Sequence, residues 1–250
     1  MNLKLSLVTI LFCGWMLWAP PAFSADFVTK GDIRKSNVEM FKSFFTEEKC
    51  DQILIDTFTI CYDHERKSPT AVYVEVTGPT VIEDIDKRPP FFTDKRVEKD
   101  YRTTSKDYTN TGYDRGHFGA SDASHDWDKK HQKATYSMAN IVPQTPFANR
   151  YKFIALEKHE REMAVKYGRL ENVTIAFWNN RPKRIGKSQL QVPSAFAKLY
   201  TDGKGYKECF FVWNNDVYDK SNGQDPNKYK QNCDVVTAMW GTQVGEADKW

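Results

Sequence analysis

The sequence predicts an α+β fold with a mainly antiparallel central sheet. Strand-length runs rich in Val, Ile, Thr, Phe and Tyr come in local pairs joined by polar turns. Few helical stretches lie between them, so a parallel sheet built from strand–helix–strand units does not fit. No repeat, low-complexity tract or linker interrupts the chain, which reads as a single domain over residues 25–250 after a leader at 1–24.

The elements follow in order. Residues 36–48 read as a helix. Ile53–Tyr62 and Ala71–Thr77 read as strands, and Asp63–Pro69 between them is a polar turn. Residues 84–112 are polar, aromatic and irregular. Asn149–Tyr167 reads as a helix because Phe153, Leu156, Met163 and Tyr167 recur at helical spacing and Gly168 is a fitting stop. Val173–Trp178 and Phe210–Trp213 are apolar runs of strand length.

The 250 residues hold 36 Lys+Arg against 33 Asp+Glu, a formal charge of +3. That composition excludes a disordered tail, a collagen and a coiled coil. It also advertises no strongly basic surface, so a nucleic-acid partner would need a local patch. Lys4, the apolar run Leu5 to Trp18 and the small residues Ala22, Ser24 and Ala25 read as a secretory leader cut before Ala25, with a cut after Ala25 as the neighbouring option. The run is short for a membrane span of about 20 residues. The expected location is therefore periplasmic or secreted, with no membrane contact once the leader is removed. Loss of Lys4 leaves 35 − 33 = +2. Cys50, Cys61, Cys209 and Cys233 then remain, an even number that suits two disulfides in an oxidising compartment. Of three connectivities, Cys50–Cys61 with Cys209–Cys233 joins neighbours in sequence and is the pairing expected. The spacing is not that of a structural zinc site.

The stretch that carries chemistry is Asp114-Arg115-Gly116-His117, followed by Asn140-Ile141-Val142-Pro143-Gln144, Asn149-Arg150 and Glu157. Each piece alone has an ordinary structural reading: an ion pair, a helix cap, a solvated helix face. Together they say more. Asn149 and Glu157, eight residues apart, lie on roughly one helix face. An amide oxygen is a hard ligand that Mg²⁺ accepts while keeping several waters, and a carboxylate on the same face can hold those waters. His117 can act as a general base near neutral pH. Arg115 offers a planar fork to phosphate oxygens. A base, a metal and an arginine together suit phosphodiester hydrolysis.

These residues resemble the signature of the bacterial DNA/RNA non-specific endonuclease family, with its ββα-metal or His-Me finger active site. The similarity includes the Asp-Arg-Gly-His motif, the Asn140–Gln144 segment, and the gaps of nine residues to Asn149 and eight more to Glu157. It extends to Arg88 with Phe91-Phe92-Thr93-Asp94, to Cys61-Tyr62 with Pro69-Thr70-Ala71, and to Val192–Phe196 with Lys198, covering about residues 50–213. The resemblance implies a ββα-metal endonuclease fold and a Mg²⁺-dependent endonuclease of low sequence specificity. DNA and RNA would be its substrates, one Mg²⁺ (or Mn²⁺) would serve each site, and products would carry 5′-phosphate. It assigns His117 as general base, Asn149 as metal ligand, Glu157 as holder of metal-bound water, Arg88 and Arg115 as phosphate contacts, and Asn140 as a support of the site. Asp114 would orient the motif. The alternative implied is a catalytically inactive, secreted nucleic-acid-binding protein on the same scaffold.

Two stretches depart from the family pattern, Phe118–Asp122 after the histidine and Ile175–Asn179 after Val173. Both bear on groove shape and substrate preference. Arg181, Lys183, Arg184 and Lys187 form a local basic stretch suited to phosphate, and Lys95, Arg96 and Arg102 add charge near the irregular segment. No base-reading motif is visible.

Overall fold

The computed structural model describes residues 33–46, 50–55, 57–81, 85, 87–216 and 223–241. The leader at 1–24 lies outside them. In chain order come α1 (Glu39–Lys42), β1 (Asp51–Leu54), β2 (Phe58–Asp63), β3 (Ser68–Thr77), β4 (Asp114–His117), α2 (Lys129–Thr135) and β5 (Ile141–Gln144). A π-type turn (Ala148–Phe153) then runs into α3 (Ile154–Tyr167). The chain continues with β6 (Arg169–Phe177), β7 (Arg184–Ile185), β8 (Leu190–Gln191), β9 (Ala195–Thr201), β10 (Lys207–Trp213), β11 (Lys230–Gln231) and α4 (Cys233–Gly241).

Seven strands form one sheet in the order β1-β2-β3-β6-β9-β10-β11, and every pairing in it is antiparallel. Strand alternation divides its side chains between two layers. Val72, Val74, Val76, Ala176, Phe196, Tyr200 and Phe210 face one way, where Phe153, Leu156 and Ala164 of the helical segment and Phe118 and Val142 of the β4–β5 region cover them. Ala71, Tyr73, Val173, Ile175, Ala197 and Leu199 face the other way, under Phe41, Phe44 and Val236. The expected antiparallel α+β architecture is thus present.

Several element boundaries differ from the sequence reading. The helix over 36–48 reduces to α1, with a 3₁₀ turn at Ile33–Lys35 ahead of it, while residues 47–49 lie outside those described. The strand at Ile53–Tyr62 is two strands, because the chain reverses between Leu54 and Phe58 and pairs with itself, Ile53 opposite Ile60. In the sequence only Asp56 marks the turn, flanked closely on both sides by strand-forming residues. The irregular segment holds 3₁₀ turns at Lys99–Tyr101 and Ser105–Tyr108. Gly168 closes α3 at φ 79°, a conformation costly for any residue with a Cβ.

Both expected disulfides are formed, Cys50–Cys61 and Cys209–Cys233, each with Cα atoms 5.2 Å apart. The second ties α4 to the sheet. Among the described residues no helix is long and apolar enough to cross a membrane.

Candidate active site

Strands β4 and β5 form a ribbon separate from the main sheet, with His117 opposite Ile141 and Asp114 opposite Gln144. Alternation along β4 sends Arg115 and His117 to the same side. Gly116 has a steric cause: a Cβ there would meet the Gln144 side chain at 2.2 Å. That side chain reaches across and donates from Nε2 to the His117 carbonyl at 3.4 Å.

Arg115 and His117 open into a cleft of about 440 Å³ that Arg88, Phe91, Asp122, Tyr136, Asn149, Arg150, Ile154 and Glu157 also line. The cleft thus gathers Arg88, Arg115, His117, Asn149 and Glu157 from three separate stretches of chain. Tyr136 meets the His117 ring edge-on at 4.8 Å, Phe91 stands 5.9 Å from it, and Nε2 lies 3.4 Å from Thr135 Oγ1. Burial, then the charges of Arg88 and His125, push the imidazole down to about 3. It is therefore neutral at pH 7, with a lone pair to accept a proton.

The π-type turn makes the Asn149–Glu157 spacing work. In a regular α-helix, eight residues leave two side chains about 80° apart. A turn closed by i→i+5 bonds absorbs about one extra residue and brings the pair to within roughly 20°. The amide of Asn149 is oriented by Asp114, whose Oδ2 accepts from Asn149 Nδ2 at 3.0 Å. An ionised carboxylate only accepts, so the NH₂ end must face it and the amide oxygen is left for another partner. Arg150 holds the same carboxylate with two bonds, 2.8 and 2.9 Å. Burial acts against the ionised Asp114, but these hydrogen bonds from Arg150 and Asn149 outweigh it and keep the carboxyl below its usual range.

The Glu157 side chain makes no hydrogen bond or ion pair among the described residues. Burial raises it to about 7, with Lys198 opposing the rise and Glu160 adding to it. A bound cation would favour its ionised form. No cluster of three or more His, Cys, Asp or Glu suited to a metal occurs among the described residues. An amide oxygen with a nearby carboxylate to hold waters instead fits a hard cation that keeps much of its hydration.

Arg88 is tethered at the rim through Nε to Asp122 Oδ2 at 3.1 Å, with its side chain 76% exposed. The guanidinium of Arg115 lies over the Phe91 ring, 5.3 Å from its centre. Asn140 lies behind the cleft, fully buried. Its Nδ2 donates to the carbonyls of Ala120 (2.8 Å) and Thr135 (2.9 Å), and its Oδ1 accepts from the amides of Gly119 and Ala120. It pins the turn that follows His117, so its part is positioning. Sequence reasoning gave no role to Asp122 and Tyr136. Only the departure at Phe118–Asp122 hinted at the first.

The basic stretch does not enter the cleft. Arg181, Lys183, Arg184 and Lys187 are exposed around the β7–β8 hairpin. Ile185 and Leu190 of that hairpin share a cluster with Tyr108, Met138 and Ile141, and Lys183 stacks on Tyr113 at 4.9 Å, beside β4. Arg96 and Arg102 are committed within the protein, Arg96 to Asp94 and Arg102 to the carbonyls of Val97 and Lys95.

A sequence model of the DNA/RNA non-specific endonuclease family matches residues 36–245. The chain belongs to this family. It is 28% identical over 155 residues to mitochondrial endonuclease G of Homo sapiens, covering 58% of this chain and 52% of that protein. Against the Bos taurus protein it is 29% identical over 155 residues, covering 57% and 51%. A nuclease of Nostoc sp. is 35% identical over 98 residues, 39% of this chain and 35% of that one. The chain spans about half the length of the endonuclease G relatives it matches. Its fold is that of a chain in the solved EndoG/EndoGI complex, with TM-score 0.68 and 22% identity over 77% of this chain and 84% of the other. The ββα-metal fold expected from the sequence is the fold found.

Proposed function

We propose that the protein is a Mg²⁺-dependent endonuclease that hydrolyses DNA and RNA with low sequence specificity and leaves 5′-phosphate ends. The observation that carries this reading is the convergence of His117, Asn149, Glu157, Arg88 and Arg115 on one cleft. Family membership supports the same chemistry.

Neutral His117 takes a proton from the attacking water. Phosphate in the cleft would offset the Arg88 charge that helps hold the imidazole down, raising its basicity when substrate is present. Asn149 would hold the cation through its amide oxygen, Asp114 fixes that orientation, and Glu157 would accept hydrogen bonds from the water around it. Bound Mg²⁺ (or Mn²⁺) supplies Lewis-acid stabilisation of charge on phosphate and leaving oxygen. Arg88 and Arg115 bind phosphate oxygens through planar forks. The β7–β8 hairpin, with Arg181, Lys183, Arg184 and Lys187, extends the grip along the backbone, which supplies affinity without sequence reading. The two disulfides support an oxidising location, periplasmic or extracellular.

The test uses the disulfide-bonded protein with supercoiled plasmid and with a long RNA, each with Mg²⁺ and with EDTA, beside His117→Ala. Mg²⁺-dependent loss of both substrates, absent in the variant, is expected. Binding without cleavage would favour the inactive nucleic-acid-binding protein.

A further inference from the structure

The turn that carries Asn149 is capped from within only by Thr145, whose Oγ1 accepts from Ala148 N at 3.3 Å. It is entered through Pro143-Gln144-Thr145-Pro146, and neither proline has an N–H to contribute. The amides just ahead of it, at Thr145 and Phe147, are satisfied from about seventy residues further along the chain. Thr145 N donates to Asn214 Oδ1 at 2.8 Å, and Phe147 N donates to Asp216 Oδ1 at 3.0 Å. Through Nδ2, Asn214 also donates to the Pro143 carbonyl at 2.9 Å and the Pro193 carbonyl at 2.8 Å. One side chain therefore joins the end of β5, the entry to the turn and the approach to β9. From within the turn, buried Lys152 donates to the Trp213 carbonyl at 2.9 Å and to Asn215 Oδ1 at 2.9 Å. The Thr145 carbonyl in turn accepts from Asn149 N at 2.9 Å, so the chain of bonds ends on the residue that faces the cleft.

We propose that Asn214, assisted by Asp216, is a positioning residue for Asn149: it fixes the π-type turn against β5 and so sets divalent-cation affinity without touching cation or nucleic acid. The inference rests on the metal-dependent reading above. A purely architectural Asn214 would affect melting and leave cation binding alone. A positioning role moves the cation affinity.

The experiment measures Mn²⁺ binding to the full, disulfide-bonded protein without nucleic acid, by paramagnetic resonance of the free ion and by calorimetry. Thermal midpoints and the KM for plasmid at saturating Mg²⁺ are recorded alongside. Asn214→Ala is expected to bind Mn²⁺ about tenfold more weakly, the lower end for loss of a group that orients a ligand, with KM for plasmid unchanged. Asp216→Ala, at an exposed position, should shift affinity the same way by a smaller factor and serves if Asn214→Ala does not fold. Ser36→Ala removes a 2.5 Å bond to Glu171 on the opposite face of the sheet and should lower the melting point with no change in Mn²⁺ affinity. Wild-type Mn²⁺ affinity in folded Asn214→Ala, or in Asp216→Ala if that is the variant that folds, overturns the proposal, provided Asn149→Ala has lost binding. If wild type binds no Mn²⁺, or Asn149→Ala binds as well as wild type, the metal-site reading itself falls and this proposal with it.

Discussion

Asn149 and Asp114 lie 3.0 Å apart, amide nitrogen to carboxylate oxygen, and that bond determines which end of the amide is presented to the cleft. Replacing Asp114 by Asn keeps the size but lets the pair bond with either amide reversed. Asp114→Asn should raise the Mg²⁺ needed for half-maximal activity by about 10–100-fold with a small change in melting temperature. A Mg²⁺ titration of plasmid cleavage checks it; an unchanged midpoint would remove Asp114 from the orienting role.

His117→Ala should lower turnover by at least about 10²-fold, the low end for loss of a general base. The ring is packed edge-on against Tyr136 but its imidazole has only a 3.4 Å contact to Thr135, so the fold should persist. Single-turnover rates beside a circular dichroism melt separate the two effects. Near-normal rates would show that another group activates the water.

Charge reversal at Arg184 and Lys187 tests the hairpin. The double Glu variant should raise KM for long DNA, leave kcat near wild type and flatten the salt dependence of binding, as expected when phosphate contacts are lost. Unchanged salt dependence would place the substrate elsewhere.

The acid stability of the fold should depend on Glu208. Burial opposes its ionised form, but bonds from Lys230, His159 and Tyr206 outweigh that and hold it at about 2 against a usual 4.5. A lowered folded value means the unfolded chain binds the proton first. The stabilisation is therefore whole above about 4.5 and fades as pH falls toward 2. Denaturant melts at stepped pH should show a steeper decline for wild type than for Glu208→Gln across that window. Parallel curves would contradict the assignment.

Loss of either disulfide should cost about 2–5 kcal/mol. The bridge Cys209–Cys233 spans 24 residues and Cys50–Cys61 spans 11. Loop entropy alone makes the longer one worth about 0.7 kcal/mol more. Chemical denaturation of the paired Cys→Ser variants measures the difference.

The site was legible in the sequence because its chemistry sits in short, ordered motifs. His117, Asn149 and Glu157 could each be named from the motifs in which the chain resembles its family, and the cleft unites them. What stayed hidden depends on contacts far apart in the chain. The orientation of Asn149 comes from a carboxylate 35 residues earlier, and the amides ahead of its turn are capped from 69 residues later. The π-type turn itself was unreadable, since its residues suit an α-helix equally well. In the fold, the paired β-rich runs revealed the sheet. The break in Ile53–Tyr62 did not show, because its one turn-favouring residue in the sequence, Asp56, is flanked by Ile55 and Thr57, as strand-like as their neighbours.

The β4–β5 ribbon stands apart from the seven-stranded sheet, and apart from Arg88 every group proposed for the reaction or for orienting Asn149 at close range lies between Asp114 and Glu157. The reacting unit is in effect a cassette of about forty residues seated on one face of a platform. Among the described residues, none proposed for the reaction lies on the opposite face, under α1 and α4. Substitutions beneath α1 and α4 are therefore expected to change the melting temperature while the arrangement of groups in the cleft stays as it is.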